Sequence, residues 1–434
     1  MNKLMTTSSN RKIQATVIEK STFYLWIGIF ISAFFGAYLG IPGHESIFLF
    51  RVLVVIHVLN FVFIPNKKWS SILVMRLPLG CLIFWLLGCL ITLFWCDSIS
   101  AGFRYSYYVF EATYLIFLSI YYTDSMMKWR MLAKLLTGIY IFQILLGLSE
   151  ILTGFHLPQS SAFVYDTTTS AFQPTGLLFN TNDYAFFLAL FFPIVCWTLL
   201  SSQIKWSNGL CLCTGMLAFW LVLNTYSRLG LVMFLIIGVL LIFVYTKWFS
   251  IFISACLVLT GTGTLLILPQ AFTKVSRLVE RTFTEKGNST SDRLDRYHSL
   301  IQIIQDSNFL GVGAGNSPIK LGQYRIGHIN VQQTILAPHN FWLETIADSG
   351  IFGLFPLLFL ILLIGLNICL FWKIKSRDEV FFVLVLLSML IVFVVSGVAL
   401  STIIDKRYLW LAVGMAASGV SIVLKQQKEE PIDF

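Results

Sequence analysis

Long apolar runs recur along this chain from end to end, broken by short polar segments. They are Ser21–Leu39, Ser46–Ile64, Leu77–Trp95, Tyr107–Tyr122, Met131–Leu152 and Tyr184–Leu200 in the first half. Asn208–Asn224, Leu229–Tyr245, Phe249–Leu268, Gly350–Phe371, Val380–Leu400 and Leu409–Leu424 follow. Each approaches the ~20 residues a helix needs to cross a bilayer, and glycine or proline inside several of them is ordinary for membrane helices. The pattern predicts an all-α polytopic membrane protein of about 12 transmembrane helices.

The expected organisation is a polar tail at residues 1–20, nine spans over 21–268, one large loop at 269–349, three spans over 350–424 and a second tail at 425–434. The first tail is polar and basic, with no apolar core or small-residue cleavage site, so no cleaved signal peptide is expected.

Charge then orients the chain. With the N-terminus inside, the inner segments hold Lys67, Lys68, Arg76, Lys128, Arg130, Lys134, Lys205, Lys247, Lys373, Lys375, Arg377, Lys425 and Lys428. The short outer loops hold only Arg104, Arg228, Lys406 and Arg407. This is the positive-inside asymmetry, and it predicts cytoplasmic termini and an extracytoplasmic large loop holding short helices; long loops are exempt from the rule. A second outer loop, Thr153–Asp183, is rich in Thr, Ser, Gln and aromatics.

Composition agrees. The 434 residues are 57% hydrophobic and only 12% charged, about half the charge of a typical soluble chain. The net charge of +9 is scattered among loops rather than gathered on one surface, which argues against nucleic acid as a partner. The cysteines sit in or at the ends of apolar runs as small hydrophobes, without zinc or disulfide spacing, and Cys211 and Cys213 fall on different faces of one helix.

Candidate chemistry gathers on the outer side. In "NSTSDRLDRYHSLIQIIQDSNFLGVGAGN" (Asn288–Asn316) the spacing predicts a helix capped at Ser291 or Asp292, with Leu294, Tyr297, Ile301 and Ile304 as its buried stripe. Arg293 and Arg296 project from another face; Arg296 either pairs with Asp292 on a solvated face or meets a ligand. Gly311, Gly313 and Gly315 read as a flexible exit, not a dinucleotide fingerprint, because no strand precedes them. In "NTYSRLGLV" (Asn224–Val232), Arg228 lies between two apolar runs, where it either snorkels to headgroups or forks onto an anion. Arg51 and Glu111, inside predicted spans, are expected to face protein or water rather than lipid; structural pairing is the favoured reading of Glu111, snorkelling is one reading of Arg51, and a functional role for either stays open.

"ILAPHNFWLETIADSGIFGLF" (Ile335–Phe355) sets His339 and Asn340 before a short helical run, Phe341 to Ala347, whose positive end favours an anion. An imidazole there can accept a proton near neutral pH, whereas His44, His57, His156, His298 and His328 are read as bystanders.

Together these elements resemble the O-antigen ligase and O-antigen polymerase superfamily of bacterial membrane glycan transferases. The resemblance rests on "SRLG" with Arg228, "SDRLDRY" with Arg293, "GVGAGN", "PHNFWLETIADSGIFGL" with His339 and Asn340, and "QPTGLLFNTNDYA" (Gln173–Ala185). These motifs lie mainly in the second half of the chain, and Tyr297 stands where relatives commonly carry tryptophan. The resemblance implies metal-independent glycosyl transfer without a cofactor, on the outer face of the cytoplasmic membrane. The donor is a glycan on undecaprenyl pyrophosphate and the acceptor a second glycan, with other polysaccharide-assembly membrane proteins as conceivable partners.

In that scheme Arg228 and Arg293 neutralise the pyrophosphate and His339 activates the acceptor hydroxyl. Arg296, Asn340, Arg104 and Trp342 are candidate substrate contacts; Glu344 and Asp348 are the next bases in line. Frequent Ile, Phe and Lys fit an AT-rich genome and a Gram-positive source, which leans towards a repeat-unit polymerase over a ligase. A polytopic flippase for lipid-linked oligosaccharide is the main competitor, and a membrane scaffold or sensor the next. A transporter, however, concentrates polar groups at the midplane, not at one face.

Overall fold

The structure, a computed structural model, describes residues 2–41, 44–64, 67–165, 172–202, 204–245, 287–324 and 335–429. The span expected at Phe249–Leu268 lies outside these residues, as do Lys247, Cys256 and His328. The principal helices are α1 (Asn2–Phe35), α2 (Leu49–Val62), α3 (Arg76–Ile91), α4 (Ile99–Tyr122), α5 (Met126–Thr153), α6 (Thr181–Leu200) and α7 (Ser207–Asn224). Then come α8 (Arg228–Tyr245), α9 (Gly287–Asp306), α10 (Ser317–Gln323), α11 (Phe341–Ser349), α12 (Phe355–Lys373), α13 (Arg377–Ala399) and α14 (Arg407–Glu429).

Among the described residues, eight helices are long and apolar enough to cross a membrane, and Leu49–Val62 and Arg228–Leu241 are shorter apolar helices. A bilayer interior offers no water to backbone N–H and C=O groups, so each crossing closes its own hydrogen bonds and helix is the economical form. Every expected span other than Phe249–Leu268 falls on one of the described helices. The boundaries move: Ser46–Phe48 belongs to a hairpin strand, His44–Phe48, paired antiparallel with Gly40–Ile41. α4 begins eight residues before the expected Tyr107, because Ser98 caps it by accepting from Ala101 N at 3.4 Å.

Burial sorts the helices into layers. Buried residues make up 89% of the apolar window of α14, 83% of α6 and 72% of α13, against 17% for α7, so the first three form the centre. α14 packs against α4 and α13, and α6 against α5, α7, α8 and α13. An aromatic knot ties this centre to α11: Trp410 lies 5.8 Å from Phe341, 5.9 Å from Trp85 and 5.0 Å from Phe393, between ring centroids.

α4 is not among the eight; it carries six tyrosines besides Arg104 and Glu111, and the charge of Glu111 is answered in place. Glu111 is buried and meets Arg51 Nε at 3.0 Å and Arg407 Nη2 at 3.1 Å. Arg51 therefore does not snorkel; its guanidinium reaches back to the carboxylate, with the Phe48 ring 4.9 Å away. A carboxylate buried this deeply needs such partners, since desolvating an ion alone costs several kcal/mol. Glu111 is structurally paired, as expected.

Candidate active site

α9 runs from Gly287, so the expected caps Ser291 and Asp292 lie inside it. Its buried face is Ser299, Leu300, Ile303 and Ile304, while Leu294 and Ile301 are 52% and 42% exposed. Of the anticipated stripe Ile304 is buried and Tyr297 half-buried, so the buried face is shifted towards the adjoining line of the helix. The cause is tertiary: α9 packs on Leu321 of α10, Leu336 and Ala347 of α11, and that cluster selects Leu300, Ile303 and Ile304.

The glycine stretch after α9 is no flexible exit. Gly311, Gly313 and Gly315 all have positive φ (79°, 105° and 65°), a region that side chains disfavour. The turn is sewn onto the end of α11 by Val312 N to Ala347 O (2.9 Å) and Gly313 N to Asp348 O (3.0 Å). A Cβ on Gly311 would stand 2.5 Å from Asp348 O, so only glycine lets the two backbones meet. Asp348 accepts from Ser317 N at 2.7 Å, and Ala314 N donates to Thr92 Oγ1 at 3.0 Å. The turn therefore fastens α9 and α10 to α11 and to the end of α3.

His339 sits where these elements converge. Its backbone is left-handed, with φ at 58°, and it is held there by its surroundings. Its N–H donates to Ser401 O (3.1 Å), just beyond α13. Its carbonyl accepts from Tyr297 Oη (2.9 Å), on α9. Two residues earlier, Ala337 O accepts from Arg296 Nη1 at 2.7 Å. Arg296 thus reaches a backbone carbonyl rather than pairing with Asp292.

Asn340 caps α11, its Oδ1 accepting from Trp342 N (3.1 Å) and Leu343 N (3.2 Å). Trp342 turns inward: its indole donates to Val394 O at 3.2 Å and lies against Gly397, where a Cβ would come within 2.7 Å of Nε1. Asn340 and Trp342, picked as substrate contacts, thus have architectural duties.

The His339 Nδ1 is buried without a hydrogen-bond partner among the described residues. Burial first, and then the positive fields of Arg296 and Arg293, push its pKa down from 6.5 to about 4. The resting imidazole is neutral at physiological pH, the form a general base requires. Deeper in α11, Glu344 and Asp348 are buried, each with one carboxylate oxygen lacking a partner among the described residues.

Tyr297→Phe deletes the hydroxyl that donates to the His339 carbonyl at 2.9 Å and, at 3.4 Å, lies on Val398 O at the end of α13. Such a bond contributes ~1 kcal/mol, so turnover is expected to fall by up to about tenfold while α9 stays folded. Polymer yield and thermal midpoint of the purified variant check this together; a lowered midpoint with unchanged turnover per folded molecule would reassign Tyr297 to stability alone.

Arg228 opens α8 after Tyr226, another positive-φ residue at 54°. Gly230 brings this helix end against Ala185, 2.6 Å from where a Cβ would stand. Two residues before Ala185, Asp183 holds Lys406 at 2.6 Å, in the turn after Ser401. Arg228 and His339 thus occupy the same end of the bundle, joined through α6 and the α13–α14 turn. Arg293 lies half-buried on α9, close enough for its charge to act on His339, and Arg104 is exposed near the start of α4.

Residues 213–358 match the family model described as O-antigen ligase, Wzy_C. The match covers about a third of the chain, mainly in its second half. Arg228, Arg293 and His339 all fall inside the matched region. Over most of its length the chain is similar to the teichuronic acid biosynthesis protein TuaE of Bacillus subtilis (strain 168), 23% identical over 422 residues, covering 92% of this chain and 84% of TuaE. The superfamily resemblance read from the motifs is shown, and with it a multi-pass membrane protein of polysaccharide biosynthesis.

Sequence reasoning missed the clamp that shapes "QPTGLLFNTNDYA". Glu150, at the end of α5, accepts from Thr175 N (2.7 Å), Gly176 N (2.8 Å) and Thr175 Oγ1 (3.0 Å), and His156 Nδ1 lies 3.1 Å away. Asn180 then caps α6 through Asp183 N at 2.9 Å. Glu150, just inside a predicted span and six residues before His156, was the available signal.

Proposed function

We propose that this protein is a membrane glycosyltransferase that polymerises lipid-linked repeat units at the outer face of the cytoplasmic membrane. Arg228 and Arg293 bind the pyrophosphate of an undecaprenyl-linked glycan, and His339 activates the acceptor. The acceptor hydroxyl oxygen forms a bond to the anomeric carbon as the bond from that carbon to the pyrophosphate oxygen breaks. The hydroxyl proton passes to the His339 imidazole, and the electron pair leaves on the pyrophosphate.

The carrying observation is the neutral His339, fixed in a strained backbone within the field of Arg293 and Arg296. An arginine pair supplies the charge stabilisation that the leaving anion demands, so the scheme needs no metal ion. The relative named for teichuronic acid biosynthesis supports an envelope polysaccharide as product. Chain growth is favoured over terminal transfer on the composition argument above.

Topology tests this reading directly. Cysteines introduced at Asn288 and Gln323 are expected to react with an impermeant thiol reagent in intact cells. Cysteines at Lys67, Lys375 and the C-terminus should react only after permeabilisation. Labelling of the Asn288 position only from the cytoplasmic side would defeat the mechanism, because the donor glycan would lie across the membrane.

A further inference from the structure

At the opposite end of the bundle, α1, the segment after α2, α4 and α5 border an open cavity of about 290 Å³. The 24 residues of α4 separate it from the glycine turn by about 36 Å along the helix axis. Its wall holds three lysines, Lys20, Lys68 and Lys128, and two carboxylates, Glu19 and Asp124. Lys128 is engaged by Asp124 at 2.8 Å, while Tyr121 Oη accepts from Lys68 N at 3.2 Å and holds that lysine's backbone at the rim. The neighbouring Lys67 behaves differently, its ammonium bonding the final carbonyls of α2 at Val62 and Ile64. The balance of the wall is positive.

Apart from Thr22, the rest of the wall is aromatic and apolar: Phe23, Tyr24, Tyr121, Tyr122 and Ile64. Its depth is set by helix ends, since the apolar stretch of α1 starts at Glu19, α4 stops at Tyr122 and α5 starts at Met126. Lysines at a helix boundary beside tyrosines mark the headgroup level of a bilayer. Tyr24, 70% exposed, and an edge-to-face group of Phe61, Phe117 and Tyr121 lead from the cavity along the bundle wall.

We propose that this cavity binds a phosphate group carried by an anionic phospholipid, in the leaflet remote from the candidate active site. The lysines face the phosphodiester and the aromatic wall takes the first part of an acyl chain. A soluble phosphate offers the same anion, but has no use for an apolar wall.

The test is lipid-dependent thermal stabilisation of the full chain in neutral detergent, titrated with phosphatidylglycerol, with phosphatidylcholine or with inorganic phosphate. Phosphatidylglycerol alone is expected to raise the midpoint. A lysine near an anionic headgroup is worth about fivefold in affinity, so Lys20→Gln combined with Lys68→Gln should weaken the lipid about 25-fold. Asp124→Asn, which frees Lys128 and deletes no cation, should tighten it. Equal stabilisation by phosphatidylcholine, an unchanged titration in the double variant, or no tightening in Asp124→Asn would each overturn the site. A matching shift with inorganic phosphate would overturn the lipid as its source.

Discussion

Arg293→Ala and Arg228→Ala are each expected to remove most polymer formation while expression and membrane insertion stay normal. In the proposed reaction the leaving group is a pyrophosphate whose charge grows as the anomeric bond breaks, and the stabilising cations must already be in place. Deleting one such preorganised donor typically costs about 10²–10³ in rate. Lysine at either position should restore only part of it, since a point charge lacks the planar two-bond fork. Arg296→Ala is the informative neighbour. Its Nη1 holds Ala337 O, so its loss should loosen the His339 segment and reduce turnover less than either other alanine. The measurement is polymer formed in vitro from purified undecaprenyl-pyrophosphate-linked glycan, per folded molecule. Full activity in Arg228→Ala would return that residue to headgroup snorkelling, and full activity in Arg293→Ala would leave that residue a solvated surface charge.

What was legible in the sequence follows from physics that acts locally. A lipid-facing helix must be apolar along its length, so the spans could be read and their ends missed by a few residues. Positions whose role depends on a distant partner were harder. Arg51 looked like a headgroup anchor because Glu111 and Arg407, 60 and 296 residues apart from their respective partners in the network, meet only in the folded bundle. The stripe of α9 was partly misplaced because neighbouring lines of a helix are both partly apolar, and only contact with α10 and α11 chooses between them. The three glycines read as looseness; positive φ angles and Asp348 O show a tight backbone crossing instead. His339 was picked for standing before a short helix, a local feature, but its left-handed backbone and its ties to Tyr297 and Ser401 were invisible.

His339→Ala is expected to lose about 10²–10⁴ in turnover, the usual worth of a general base, while still binding the lipid-linked donor. If the arginines hold the pyrophosphate as proposed, binding and chemistry should separate in this variant. Acidity gives a second signature. With its pKa near 4, the free enzyme's imidazole stays neutral down to about pH 5 and gains its proton below that, so activity at low donor concentration should fall only there. Donor binding should move this break upward, because the pyrophosphate neutralises the fields of Arg293 and Arg296 that depress the pKa and adds negative charge beside the ring. On this proposal the histidine becomes a stronger base only once the donor is seated. Stability shifts in the same direction. The unfolded chain takes up this proton near pH 6.5 and the folded chain only near 4, so folded stability should decline as pH falls through that window. His339→Ala should lack that component of the decline. A variant that turns over like wild type, with only its thermal midpoint lowered, would make His339 architecture and move the search for the base to Glu344, buried one turn further along α11.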